Sequence, residues 1–327
     1  MTRLSFALLL SLALMGAVNA LAEEAKVYRV GVISPLAANP EPPPLIEFRS
    51  ALRELGYVEG KNLVLVRRFA EGRLDRFPAL VSELIALKVD VILAGSYPAV
   101  LAAKKATSRT PIVIAGLIDP VASGIVSSLA RPGGNVTGST FGVAGSGIAG
   151  KWLELLREAV PGIAHVAVLI VPTDAQTLAL MEEMHAAART LKMRIETFEV
   201  NSDAGMEKAF GAVAASGAEG LIVPTSPFFA ARRGKVVKFA AERRLPAIYF
   251  FNMFPNDGGL MSYGGNVEES YRRAAGYVDR ILKGAKPGEL PIEQPTKFEL
   301  VINLKAAKAI GVAIPQPLLL RADRVIE

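Results

Sequence analysis

Residues 89–117 read VDVILAGSYPAVLAAKKATSRTPIVIAGL. Two short β-branched runs, Val89 to Ala94 and Ile112 to Leu117, flank an alanine-rich stretch of helical periodicity from Ala99 to Ala106. That is the pattern of a βαβ unit whose strands are buried on both faces. Parallel strands need a crossover of this kind, because a tight turn can only reverse the chain. The same alternation continues on both sides. Upstream, Val27 to Ser34 and Leu63 to Arg68 predict strands, and Leu45 to Leu55 and Arg76 to Leu87 predict helices; downstream, a helix is expected over Pro120 to Leu129. The class is therefore α/β, and this series makes one parallel-sheet lobe.

A Pro-Gly-Gly turn within Arg131 to Gly134 ends the series. The segment Asn135 to Val143 reads as a polar, glycine-containing strand that fits a crossover better than the centre of a buried sheet. A second series follows, with strands predicted at His165 to Val171, Arg194 to Val200, Gly220 to Pro224, Ala247 to Phe251 and Gly259 to Tyr263. Helices are predicted at Lys151 to Val160, Ala175 to Leu191, Met206 to Ala215 and Ala230 to Arg244. This gives a second lobe of similar plan. Helix Val267 to Leu282, a proline-rich passage from Lys286 to Pro295 and a last strand, Phe298 to Ile302, come too late for a simple two-lobed chain, so further crossings are expected. Two such lobes would enclose a cleft at the carboxyl ends of both sheets, where open α/β folds bind ligands.

The 327 residues, 51% hydrophobic and 21% charged, exclude a disordered chain or a disulfide-stapled module, and the length suits two domains. The net charge of +6 is spread thinly, with pairs such as Arg67-Arg68 and Arg243-Arg244 but no basic block, so nucleic acid is not an expected partner. Residues 1–22 carry an early Arg3, an apolar stretch from Phe6 to Val18 and Ala20-Leu21-Ala22 ahead of two glutamates. This is the pattern of a cleaved secretory signal peptide. The chain has no cysteine, which excludes disulfides, thiol catalysis and cysteine-ligated zinc. A free, monomeric periplasmic protein is expected, without a cofactor or metal.

The residues just past the predicted strands are Ser34, Ser96-Tyr97, Asp119, Thr140-Phe141, Thr173, Thr225-Ser226, Asn252 and Tyr263. Hydroxyls and amides there can hold a small polar head, and helix N-termini favour an anion, so a carboxylate ligand fits. Each position alone is also a good helix cap or turn former, and only their convergence points to a ligand. Of the aromatics Phe228, Phe229, Phe250, Phe251 and Phe254, some are expected in the core.

Gly145-Ser146-Gly147-Ile148-Ala149-Gly150 matches G-x-G-x-x-G and gives the rival reading, an exported NAD-type oxidoreductase using Gly145, Gly147 and Gly150. Against it, the preceding strand is polar and the compartment poor in NAD. Read as a P-loop, the same stretch places Trp152 where a magnesium-binding hydroxyl is needed. The two histidines, His165 and His185, lie in no acid–nucleophile or metalloprotease pattern, and Asp119 and Asp174 are expected to cap helices rather than catalyse. The chain reads as a binder.

Four segments carry a family resemblance: Ala51 to Asn62 (ALRELGYVEGKN), Asp119-Pro120-Val121, Arg131 to Gly138 (RPGGNVTG) and Phe298 to Ala309 (FELVINLKAAKA). Together they resemble the ABC-transporter substrate-binding family that includes tryptophan- and tyrosine-binding proteins. The resemblance implies a type I periplasmic-binding fold with three hinge crossovers, one lobe formed by residues 23–139 with 264–290 and the other by 140–263 with 291–327. It also implies a ligand trapped by hinge closure and passed to an inner-membrane ABC permease; a ligand-sensing input to a membrane receptor is the other option. The family's pocket segments fall on Ser34, Ser96-Tyr97, Asp119, Thr173 and Thr225-Ser226, with Tyr97, Phe141 or Phe228 as stacking surfaces. The family's frequent His-Pro pair after the first strand is Ala38-Asn39-Pro40 here, and its acidic residue in the second lobe is Ser226-Pro227. An ammonium partner is thereby lost, and an aromatic acid becomes as good an expectation as an aromatic or apolar amino acid.

Overall fold

The computed structural model describes residues 26–143 and 146–327. The signal-peptide reading of residues 1–22 and the glycine at position 145 lie outside the described residues. Val91, Ile92, Leu93 and Ala94 form strand β3 (Val91–Ala94) and are fully buried, as an unbroken apolar run requires of a strand covered on both faces. Beside it lie β1 (Tyr28–Ser34) and β4 (Ile112–Ala115), with β2 (Leu63–Phe69) and β5 (Val136–Ser139) at the edges. The order β2-β1-β3-β4-β5 is parallel throughout.

The second sheet has the order β12-β11-β10-β9-β8-β6-β7, built from β6 (His165–Ile170), β7 (Arg194–Glu199), β8 (Gly220–Val223), β9 (Ala247–Tyr249), β10 (Met261–Gly264), β11 (Glu299–Asn303) and β12 (Arg324–Ile326). It is parallel except that β11 runs antiparallel to β10, with Tyr263 opposite Leu300. The last strand, β12, was not foreseen: three half-exposed residues, Arg-Val-Ile, give no periodic signal.

The chain passes between the sheets after β5, after β10 and ahead of β11. Helix Val267–Leu282 follows β10 but packs on helix Pro43–Glu54 and on β4 of the first sheet. Its buried face, Val267, Tyr271, Ala274, Ala275, Val278 and Ile281, recurs every three or four residues. Asn266 caps it, accepting the Glu269 N–H at 2.8 Å. Buried Tyr57 donates to Asp279 at 3.0 Å, tying the helix to the first lobe. The first and third crossings are stitched together, since Thr140 N–H donates to Glu293 O at 2.8 Å and Glu293 N–H to Gly138 O at 3.0 Å.

Three expectations are corrected. Residues 135–143 are not all crossover, because β5 is a buried edge strand of the first sheet. Its polar character is accommodated locally: Thr137 Oγ1 donates to Leu290 O at 2.8 Å, and Gly138 lies so close to Ile114 that a side chain would collide with it. Residues 120–129 form turns instead of a helix. Asp119 Oδ1 accepts the Ala122 N–H at 2.8 Å, and the hydroxyls of Ser127 and Ser128 bond back to the carbonyls of Pro132 and Arg131, local bonds that compete with a helix. The helix expected over Ala230 to Arg244 is two helices, Pro227–Ala231 and Arg233–Glu242, interrupted at Arg232.

Candidate functional site

The carboxyl ends of the two sheets face each other across a cleft of about 630 Å³, its open mouth included. Of the residues singled out from the sequence, it brings together Ser34, Ser96, Tyr97, Phe141 and Thr225. Each is set there by the strand ahead of it. Ser34 ends β1, Ser96 and Tyr97 lie two and three residues past β3, and Thr225 two past β8.

Ser96 stands at the N-cap of helix Tyr97–Ala106 in extended conformation, yet its side chain makes no cap hydrogen bond. The hydroxyl is buried and has no partner among the described residues. A buried hydroxyl left in that state costs about 1–3 kcal/mol, and this one lies at the positive end of a helix dipole. Proline at position 98 supplies no N–H, so the first-turn donors here are the amides of Tyr97 and Ala99.

Phe141 lies between the lobes. Its ring meets Phe250 edge-on at 5.3 Å and Phe251 at 6.1 Å. Gly116 and Gly265 make room for it, and a Cβ on either would collide with the ring. At Gly116 the backbone itself, with φ +83°, also favours glycine. Tyr271 enters from helix Val267–Leu282, where its hydroxyl approaches Gly95 so closely that a side chain there could not fit. Burial pushes its phenol well above the usual tyrosine range, so it faces the cleft as a neutral hydroxyl. Among the described residues no aspartate, glutamate, lysine or arginine lines the cleft, whose polar side chains are those of Ser34, Ser96, Tyr97, Thr225 and Tyr271.

The other candidates lie elsewhere. Asp119 Oδ1 accepts the Ala122 N–H within its own turn, and Thr140 accepts the Gly142 N–H at 3.0 Å. Thr173 sits in an exposed turn. Ser226 caps helix Pro227–Ala231, accepting the Phe228 N–H at 3.2 Å. Phe228 packs in the second lobe's core beneath the Arg232 guanidinium. Asn252 donates to Glu268 and Glu299 at 3.3 and 3.5 Å, and Tyr263 lies against Phe298. None of these lines the cleft. Tyr271, Gly95 and Gly116 do, and were missed: the glycines past β3 and β4 were a local signal, but Tyr271 reaches the cleft only through the return crossing.

The glycine string does not form a dinucleotide site. β5 belongs to the first sheet and β6 to the second, so helix Ile148–Ala159 joins no βαβ unit within one sheet. At its N-terminus the Ala149 N–H already donates to Glu183 at 2.8 Å, placing a carboxylate where a pyrophosphate would have to sit. His165 pairs with Glu196 at 3.1 Å and His185 bonds the Met181 carbonyl at 2.6 Å. Among the described residues no group of histidines and acids could hold a metal.

Two parallel-sheet lobes joined by three crossings thus enclose an interlobe cleft. The family model "ABC transporter substrate binding protein" matches residues 45–326. The chain belongs to the ABC transporter substrate-binding proteins. Among curated relatives, this substrate-binding protein is 26% identical to the "Tyrosine-binding protein" of Clostridioides difficile strain R20291 over 265 residues, 81% of this chain and 75% of that protein. Among solved structures, the ABC domain in complex with L-Trp from Streptococcus pneumonia superposes with a TM-score of 0.84 at 24% identity, covering 92% of this chain and all of that one. A ligand-free, open substrate-binding protein with adhesive properties from Clostridium difficile gives 0.65 at 23% identity, covering 92% and 99%. These likenesses establish the type I periplasmic-binding fold of this substrate-binding protein. Among the described residues no helix is long and apolar enough to cross a membrane.

Proposed function

We propose that this substrate-binding protein works in the periplasm after signal-peptide cleavage, as a monomer, and serves an ABC importer. It traps a small carboxylate with an aromatic or apolar body between the lobe of residues 23–139 with 264–290 and the lobe of 140–263 with 291–327. Closure about the three crossings then presents the loaded form to the inner-membrane permease. The relatives named for tyrosine and solved with L-Trp support an aromatic body.

The observation that carries the reading is the lining of the cleft: apolar and aromatic walls, five hydroxyls and, among the described residues, no charged side chain. A carboxylate can be met by Ser96 and the first-turn amides of its helix, as neutral donors at a helix N-terminus suffice for an anion. An ammonium group needs acceptors, and without a carboxylate partner its burial is costly. The lining therefore favours an aromatic acid over the corresponding amino acid.

Native mass spectrometry of the mature protein, followed by calorimetry with 3-phenylpropionate and with phenylalanine, tests this. The acid is expected to bind at least tenfold more tightly. Binding of the amino acids alone would overturn the absence of an ammonium site, and binding of neither acids nor amino acids would overturn the ligand class.

A further inference from the structure

The helix break at Arg232 places a guanidinium on the rim where the lobes meet. Arg232 has φ −116° and ψ 17°, outside helical geometry, and its side chain is largely buried. Its Nε and Nη2 donate to the two oxygens of Asp203 at 2.8 and 2.9 Å, while its guanidinium lies 3.9 Å from the centre of the Phe228 ring. All of these partners belong to the second lobe. The remaining nitrogen, Nη1, donates to Phe228 O of its own lobe at 3.5 Å and, at 3.2 Å, crosses to Gly72 O of the first lobe.

Gly72 is joined to the cleft wall. Its N–H donates to Pro35 O at 2.8 Å, and Ala70 N–H to Ser34 O at 2.8 Å; Ser34 and Pro35 line the cleft. Two residues further on, Leu74 packs against the buried clusters of both lobes. The approach is close: a Cβ on Gly72 would stand 2.8 Å from Arg232 Nη1 and 3.1 Å from the Ala231 Cβ, and Gly72 has φ +76°. On the other side of Arg232, helix Pro227–Ala231 contributes Pro227 and Ala230 to the cleft.

We propose that Arg232 is the positioning residue that latches the cleft: pre-oriented by Asp203 and Phe228, it captures the Gly72 carbonyl and holds the two walls together. An isolated pair on a surface contributes little, because two long side chains must be ordered to form it. Here the guanidinium is already fixed by a bidentate carboxylate and an aromatic face, and the acceptor is backbone, so the bond across the lobes forms with little further loss of freedom. The latch deepens the proposed function by setting the residence time of the ligand, but it acts on the free protein as well.

The absence of cysteine makes the test direct. Spin labels at Lys61→Cys and Lys208→Cys, both exposed positions on different lobes, report the interlobe distance in ligand-free protein by pulsed electron resonance. The unmodified rim should give one narrow distribution. Arg232→Lys, which keeps the charge but loses the fork, and Gly72→Ala, which acts from the opposite lobe, should each add a longer population. Where 3-phenylpropionate binds, both should speed its release about tenfold in stopped flow. Unchanged distances in both variants would overturn the latch, even with a lowered melting temperature. A change in Arg232→Lys alone would also overturn it, reducing Arg232 to a brace within its own lobe. The expected shift in a protein that binds no acid or amino acid would keep the latch and remove the proposed ligand class.

Discussion

The Phe141 ring occupies the space that a side chain on Gly116 would need. It is fixed from its other sides by Phe250, Phe251 and Gly265, so the first residues of the crossing after β5 and the turn after β4 determine each other's shape. Gly116→Ala cannot be absorbed by a small rotation of the ring. Overpacking of this kind costs about 1–3 kcal/mol, with a further penalty for a left-handed non-glycine residue. Chemical denaturation should show a loss in that range together with weakened ligand binding. Phe141→Ala should cost about 3–5 kcal/mol by leaving a cavity. The double variant should be less destabilised than the sum, since removing the ring removes the collision; strict additivity would mean that the two residues do not share one space.

Ser96→Ala separates binding from stability. The hydroxyl makes no cap bond and has no partner among the described residues, so its removal leaves no hydrogen bond broken in the ligand-free protein. Loss of a capping side chain ordinarily costs about 0.5–2 kcal/mol, whereas here the melting temperature should hold steady or rise slightly. Affinity for a carboxylate ligand should fall about tenfold, the worth of one hydrogen bond to a charged group. A clear fall in melting temperature with unchanged affinity would assign Ser96 to the fold instead of the cleft.

Alternation of apolar runs and helical periods was enough to read both sheets, because parallel strands buried on two faces leave an unbroken apolar signature; β3 and β8 are such runs. Helix Val267–Leu282 was legible to the residue from its cap and apolar stripe. Short elements were not. Helix Met253–Asn256 and β12 are held by tertiary contacts and carry no period of their own. Residues immediately after the strands identified part of the cleft, namely Ser34, Ser96, Tyr97, Phe141 and Thr225. Asp119, Thr140 and Ser226 obey the same positional rule but turn their oxygens to nearby backbone N–H groups, a choice that depends on local turn geometry. Arg232 looked like the interior of a helix, because its partners Asp203 and Gly72 lie far away in the sequence.

Glu183 has a structural task that a variant can expose. Its carboxylate accepts the N–H groups of Ala149 and Gly150 at 2.8 and 3.4 Å, supplying from a neighbouring helix the cap that Gly147 cannot provide with a side chain. Glu183→Ala should destabilise the protein by about 0.5–2 kcal/mol, measured by thermal or chemical unfolding. Ligand affinity should stay constant, since Glu183, Gly147 and Gly150 do not line the cleft. A loss of binding without a loss of stability would return this helix terminus to the list of functional sites.

Asp203 gives the rim a pH signature. The hydrogen bonds from Arg232 hold its carboxyl well below the usual range, at about 2 against an ordinary 3.8, opposed by partial burial and aided by the charges of Arg232 and of Lys235, 3.5 Å away. A group whose pKa is depressed by folding adds stability that is complete above its unfolded value and is lost as the pH falls through the folded one. The melting-temperature gap between the native protein and Asp203→Asn should therefore be constant from pH 8 to about 5 and should close between about pH 4 and 2. It should be small and should shrink further in salt, because the carboxylate side chain is 56% exposed. Other carboxylates held down by arginine, such as Glu54 and Glu59, titrate alike in both proteins, so the difference isolates this pair. A gap that persists at pH 2 would show that the asparagine disturbs the packing of helix Asp203–Ala215 rather than the charge of the pair.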